Sequence, residues 1–182
     1  MDDQNPVTAP MWVFGYGSLI WDPGFPVAER QRARLDGWHR SFCMRSIHHR
    51  GTPEDPGLVL ALDEAPGATC AGLAFRVAPG TEAATLATLR ERELVSSAYL
   101  ERRLTVTLED GRQPLALIYV IDPDHAQYCG GLDLHQQARI IARARGGRGP
   151  NRDYLFATAQ HLADLGLADP DLDWLARTVR GL

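Results

Sequence analysis

The chain contains no lysine: all 19 of its basic residues are arginine. This excludes a Schiff-base lysine, a pyridoxal-phosphate anchor and a Walker A loop, each of which needs the lysine ammonium. Cysteine is scarce. Cys43, Cys70 and Cys129 are widely spaced, odd in number and without a Cys-X-X-Cys pair. They read as reduced thiols of a cytoplasmic protein. The six histidines lack the spacing of a His-Glu-X-X-His helix, and the adjacent His48-His49 pair favours pointing apart over chelating one ion. Neither a metal nor a cofactor is expected. No apolar run approaches the roughly 20 residues of a membrane span. The acidic, polar opening from Met1 to Pro6 is unlike a secretory leader, and residues 1–10 are expected to form a flexible tail. A net charge of −4 offers no hint of a nucleic-acid or anionic-membrane partner. Repeats, low-complexity tracts and linkers are also missing. Residues 11–182 are therefore expected to form a single domain, long enough to bury a sizeable core.

What is present is a strand-rich first part and a helical last part. Trp38–Met44, Leu58–Leu62, Cys70–Val77, Leu104–Leu108 and Leu115–Ile121 are apolar or alternating runs. Asp63 to Gly67 reads as a turn, and residues 104–121 as a hairpin turning at Glu109-Asp110-Gly111. Thr81 is a suitable N-cap for a helix from 82 to about 94. Asp133 caps a helix expected to end near Gly146-Gly147, and Asn151 caps 152–165 ahead of Gly166. Asp169-Pro170 opens a last helix that ends at Gly181. This pattern is a mixed α+β domain rather than a βαβ repeat.

Two features point to chemistry. The strand-like Met11–Phe14 runs at once into Gly15-Tyr16-Gly17-Ser18. Glycines there allow unusual φ values and leave backbone N–H groups uncovered, so the segment is either an ordinary turn or a cradle for a ligand oxygen. The second feature is Glu93. At about 100° per residue it falls between Leu86 and Leu89 on the apolar stripe of its helix, whereas Glu91 lies on nearly the opposite side. A carboxylate facing the core is costly unless paired, and its pKa tends to rise. It either pairs with Arg90 one turn back or is held as a base near neutral pH.

The string Phe14-Gly-Tyr-Gly-Ser-Leu-Ile-Trp21 resembles the N-terminal signature of the ChaC family of γ-glutamylcyclotransferases. His49-Arg-Gly-Thr-Pro-Glu-Asp-Pro-Gly57 is similar to that family's His-Arg-Gly-Thr-Pro loop, and Ala71–Val77 to the strand before its catalytic helix. Arg92-Glu93, followed by Tyr99 and a strand, resembles its catalytic Arg-Glu pair. Many members carry glycines just before that tyrosine, where this chain has Ser96-Ser97-Ala98. Gly149-Pro-Asn-Arg-Asp-Tyr-Leu155 resembles the start of the family's C-terminal helix. Arg50–Gly57 reads either as a surface loop or as a border of the substrate cleft, and Tyr154 as a packing residue or a cleft residue.

The resemblance implies a cyclotransferase-like fold, a small mixed β-barrel core flanked by helices. It implies that the α-amine of a γ-glutamyl group attacks its own γ-carbonyl, releasing an amine and 5-oxoproline. Glutathione is then the expected substrate and cysteinylglycine the second product. Glu93 is the expected general acid and base, with Phe14, Gly15, Tyr16, Gly17, Ser18, Leu19 and Tyr99 around the substrate. Arg45, His49 and Arg50 lie near the loop in sequence and are candidates for the glycine carboxylate. Other γ-glutamyl amino acids or amines as substrates, or a non-catalytic regulator using the same pocket, are the alternative readings.

Overall fold

The computed structural model describes residues 9–167 and 169–182. Apart from Ala9 and Pro10, the expected tail lies outside the described residues. Among the described residues, eight strands and four helices follow in the order β1 (Trp12–Gly15), β2 (Val27–Ser46), β3 (Gly57–Val77), α1 (Glu82–Glu93), β4 (Tyr99–Thr105), β5 (Thr107–Leu108), β6 (Leu115–Ile121), α2 (Leu134–Arg143), β7 (Arg145–Gly146), β8 (Gly149–Pro150), α3 (Asn151–Asp164) and α4 (Pro170–Arg180). Six strands form one mixed sheet in the order β4-β6-β1-β3-β2-β5. Only β1 and β6 run parallel; the other neighbours are antiparallel.

The sheet curls because its two longest strands are bulged. β2 and β3 pair along nearly their whole length, with register shifts at Val27/Glu29, Asp36/Trp38 and Ser41/Met44. Each shift bends the ribbon and adds twist, and the sheet closes into a half-barrel. The turn expected at Asp63–Gly67 is one of these bulges. Asp36 faces Thr69 and Trp38 faces Glu64, so residues 65–68 stand against Gly37 alone. Pro66 has no N–H to give the ladder, and Gly67 and Gly37 both take φ of +85°. The two expected strands at 58–62 and 70–77 are thus halves of one bent strand.

Alternation along the short strands sorts side chains to two cores. Trp12, Phe14, Ala116, Ile118 and Val120 meet Leu35, Leu62 and Leu108 inside the curl. Val13, Leu117 and Tyr119 point the other way and receive Leu89 of α1. The C-terminal helices close a third core over β2 and β3, with Leu155, Leu162, Leu172 and Leu175 against Phe42, Leu58 and Phe75.

Three helix expectations hold closely. α1, the Asp133 cap of α2 and the Asp169-Pro170 start of α4 lie where the sequence puts them. α2 ends earlier than expected, at Arg143, because residues 145–150 form the small β7–β8 hairpin. The expected 104–121 hairpin is longer: β4 starts at Tyr99, which pairs with Ile121. Asn151 is not a cap. It is the first residue of α3, and its buried amide accepts from Leu58 N at 2.8 Å and donates to Leu58 O at 2.8 Å.

Candidate active site

A cavity of about 570 Å³ opens where the turn after β1, the end of α1 and the end of β2 converge. β1 stops at Gly15, and a single 3-10 turn follows over Ser18–Ile20. The first intra-turn bond is Ile20 N–H to Gly17 O at 2.9 Å. A 3-10 turn therefore leaves the N–H groups of Gly17, Ser18 and Leu19 without a partner inside it. All three residues and Tyr16 border the cavity. Phe14 and Gly15 do not: Phe14 is fully buried in the core, and Gly15 is pressed against Leu19 and Phe75. The expectation of unusual φ values is also corrected. Neither glycine has a positive φ; Gly17 sits at −141°. What Gly17 supplies is space, since a Cβ there would meet no protein atom within 4 Å.

Glu93 is the last residue of α1, one turn beyond the fully buried Leu89. Its side chain is 17% exposed and borders the cavity. Burial pushes its carboxyl pKa upward, and the Arg92 guanidinium, 3.5 Å from Oε1, pulls it back. The alternative pairing with Arg90 is not made. Arg90 is bidentate to Glu101 on β4, with both contacts at 2.9 Å. Glu91 is exposed, on the other side of the helix. Arg92 also donates to Asp22 O at 2.7 Å and to Ser18 Oγ at 3.1 Å, joining the end of α1 to the glycine turn.

Two tyrosines hold the floor. Tyr99 Oη donates to Leu60 O at 3.4 Å, and Tyr154 Oη accepts from Leu60 N at 3.3 Å. Both border the cavity. Burial holds the Tyr99 phenol far above its usual range and pushes that of Tyr154 up to about 12. They are hydrogen-bond groups, not bases, at neutral pH. Among the described residues no acceptor takes the Tyr154 hydroxyl proton, so it is available to a ligand. Asn151 anchors this helix end by its clamp on Leu58.

Of the candidate cations, His49 borders the cavity together with its neighbour His48, but Arg45 and Arg50 do not. Burial and neighbouring arginines lower the His49 pKa. Arg50 lies over the Tyr154 ring, 5.8 Å from its centroid, and donates to Arg148 O and Pro150 O. Residues 50–57 are thus a structural connection: a Cβ on Gly57 would collide with Arg50 O, and one on Gly51 with Gly57 N. Arg92, the first residue of the expected Arg-Glu pair, borders the cavity, as do Tyr119 and Gln127, which were not singled out from sequence. Tyr119 had a legible signal, since it alternates in phase with Leu117 and Ile121. Among the described residues no three His, Cys, Asp or Glu side chains are grouped to hold a metal ion.

A curled mixed sheet, helices on its flanks and a desolvated glutamate across a cavity from a Gly-Tyr-Gly-Ser turn define a cyclotransferase-like α+β protein. A crystal structure of a γ-glutamyl cyclotransferase specific to glutathione from yeast shares this fold, with a TM-score of 0.83 and 24% identity over 95% of this chain and 96% of that one. The chain belongs to the ChaC-like protein family, whose family model matches residues 11–182. It is 38% identical over 178 residues to the glutathione-specific γ-glutamylcyclotransferase of Escherichia coli (strain K12), covering 98% of this chain and 76% of that protein. Its identity to γ-glutamylcyclotransferase 2-3 of Arabidopsis thaliana is 36%, over 93% of this chain and 88% of that one.

Proposed function

We propose that this protein cleaves glutathione to 5-oxoproline and cysteinylglycine, with residues 11–182 acting as one catalytic unit. The observation that carries the reading is Glu93, a carboxylate buried in a cavity opposite uncovered backbone N–H groups. Glu93 takes a proton from the α-ammonium of the γ-glutamyl group. The freed amine attacks the γ-carbonyl carbon of the same molecule, and a C–N bond forms. Nucleophile and electrophile are already joined, so the substrate itself meets much of the entropic cost. The carbonyl oxygen becomes an oxyanion, stabilised by N–H groups of Gly17, Ser18 and Leu19. The C=O re-forms as the amide C–N bond breaks; the proton held by Glu93 passes to the departing amine of cysteinylglycine, and the ring nitrogen releases its remaining extra proton to solvent. Tyr99 and Tyr154 orient the substrate. No step calls on a metal or redox centre.

Among the described residues no helix is long and apolar enough to cross a membrane. All three thiols are free, which suits a cytoplasmic setting where thiols stay reduced. The direct test is to incubate the pure protein with glutathione and a chelator and to quantify both products. Equimolar 5-oxoproline and cysteinylglycine are expected. Turnover of another γ-glutamyl compound but not of glutathione would move the substrate assignment. Loss of turnover with chelator and its return with zinc would overturn the metal-free chemistry.

A further inference from the structure

Arg40, on β2, does not border the cavity, yet it is tied to it. Its side chain is 3% exposed. Nε donates to Tyr16 O at 2.7 Å, Nη1 to Asp169 Oδ2 at 2.8 Å, and Nη2 to Ala71 O. Asp169 uses its other oxygen to accept from Leu172 N at 3.1 Å, capping α4. One planar guanidinium thus locks the glycine turn, β3 and the start of the last helix together. A charge so deeply buried is costly unless partnered in good geometry, and an apolar side chain often fills such a place without loss of stability. The fixed fork of donors is what an apolar residue could not supply.

The consequence follows from the planarity of the peptide unit. In a trans peptide the C=O of one residue and the N–H of the next point in opposite directions. Holding Tyr16 O on Arg40 therefore turns the Gly17 N–H away from Arg40, where no acceptor among the described residues takes it. Tyr16 is also held at its far end, its hydroxyl donating to Tyr119 O at 3.0 Å. The peptide between residues 16 and 17 has little freedom to flip.

We propose that Arg40 is a positioning residue that aims the Gly17 N–H at the substrate, and that Asp169 and α4 hold Arg40 for that task. This rests on the assignment of the turn's N–H groups to a substrate oxygen. The last helix, remote in sequence from the glycine turn, then belongs to the scaffold of the site.

The test compares Arg40→Met with Val179→Ala, a core truncation in α4 that leaves every hydrogen bond of Arg40 and Asp169 in place. At a temperature where both are folded, Arg40→Met should lose at least tenfold in kcat, and Val179→Ala should stay within twofold of the parent even if its Tm falls further. A second readout needs no substrate. Amide exchange at Ile20 and Asp22, whose N–H groups bond to Gly17 O and Ser18 O, should quicken at least tenfold in Arg40→Met and not in Val179→Ala. Should Arg40→Met not fold, Asp169→Asn decides. It keeps a capping side chain but removes the counter-charge, and it should show faster exchange at Ile20 and Asp22 and lower kcat. Exchange at these two amides unchanged from the control overturns the proposal, whatever happens to kcat. Absence of glutathione turnover in the parent protein would fell the functional reading alone, since the exchange comparison still stands.

Discussion

The free energy of Glu93 in the fold depends on its proton. Burial raises its pKa above the ordinary value of about 4.3, so more protons are bound in the folded state than in the unfolded one as pH passes between the two values. Two outcomes follow. The acid limb of kcat/KM should lie above the ordinary glutamate range and vanish in Glu93→Gln. The stability sign is the reverse of a salt-bridged carboxylate's: the contribution of Glu93 is full below its unfolded pKa and is lost as pH rises through the folded one. At pH 7 the Gln variant should therefore melt no lower than the parent, and the difference should shrink below about pH 4. A marked drop in Tm at pH 7 would mean that the carboxylate is structural. Gly17 gives a second test. A Cβ there meets no protein atom within 4 Å, so Gly17→Val should still fold. Its branched side chain would enter the cavity, and kcat/KM should fall by about 10²-fold, the scale of a misplaced substrate. Near-normal kinetics would show that the turn does not receive the ligand.

Elements were legible where pattern and caps agreed. Leu86, Leu89 and Glu93 gave α1 its phase, and Asp133 and Asp169 marked helix starts that the structure keeps. The first half of β2 was not legible, because charge stands on both of its faces: Glu29 is half-buried on the inner one, and Arg30, Arg32 and Arg34 are exposed on the outer one. Those charges are partnered across strands, as in Arg32–Glu109 and Arg76–Glu29, which no local pattern displays. Asn151 illustrates a different failure. It looks like a helix cap in sequence, but its amide spans to Leu58, 93 residues away. Asn151→Ala should cost about 1–3 kcal/mol, since it leaves a buried backbone N–H and C=O unpaired; urea titration measures this. The connection after α1 is also testable. Ser97 takes φ of +57°, the conformation that glycine adopts without strain. The serine run thus keeps a glycine-like backbone. Ser97→Val should destabilise by about 1–2 kcal/mol, whereas Ser97→Gly should be tolerated with activity intact.

At the scale of the whole molecule, the site joins segments that the chain keeps far apart. The glycine turn and Glu93 could be named from the sequence because each carries a local signature. The floor was legible only in part: the sequence offers Tyr99, and Tyr154 as either a packing or a cleft residue, but not that the two meet through the Leu60 peptide or that Arg92 reaches Ser18 across 74 residues. Those contacts exist only once the bulged sheet has curled and the C-terminal helices have closed over it. The same curl exposes one glutamate of α1 to the cavity and leaves another, two residues earlier, in solvent. That contrast allows the most direct measurement. Glutathione turnover is to be compared in the parent, Glu93→Gln and Glu91→Gln, with 5-oxoproline quantified and folding checked by Tm. General acid–base catalysis is typically worth about 10² to 10⁴, and a single group serving both proton transfers should sit in the upper part of that range. The account predicts a loss of about a thousandfold in Glu93→Gln and near-parent turnover in Glu91→Gln. An active Glu93→Gln protein would contradict it.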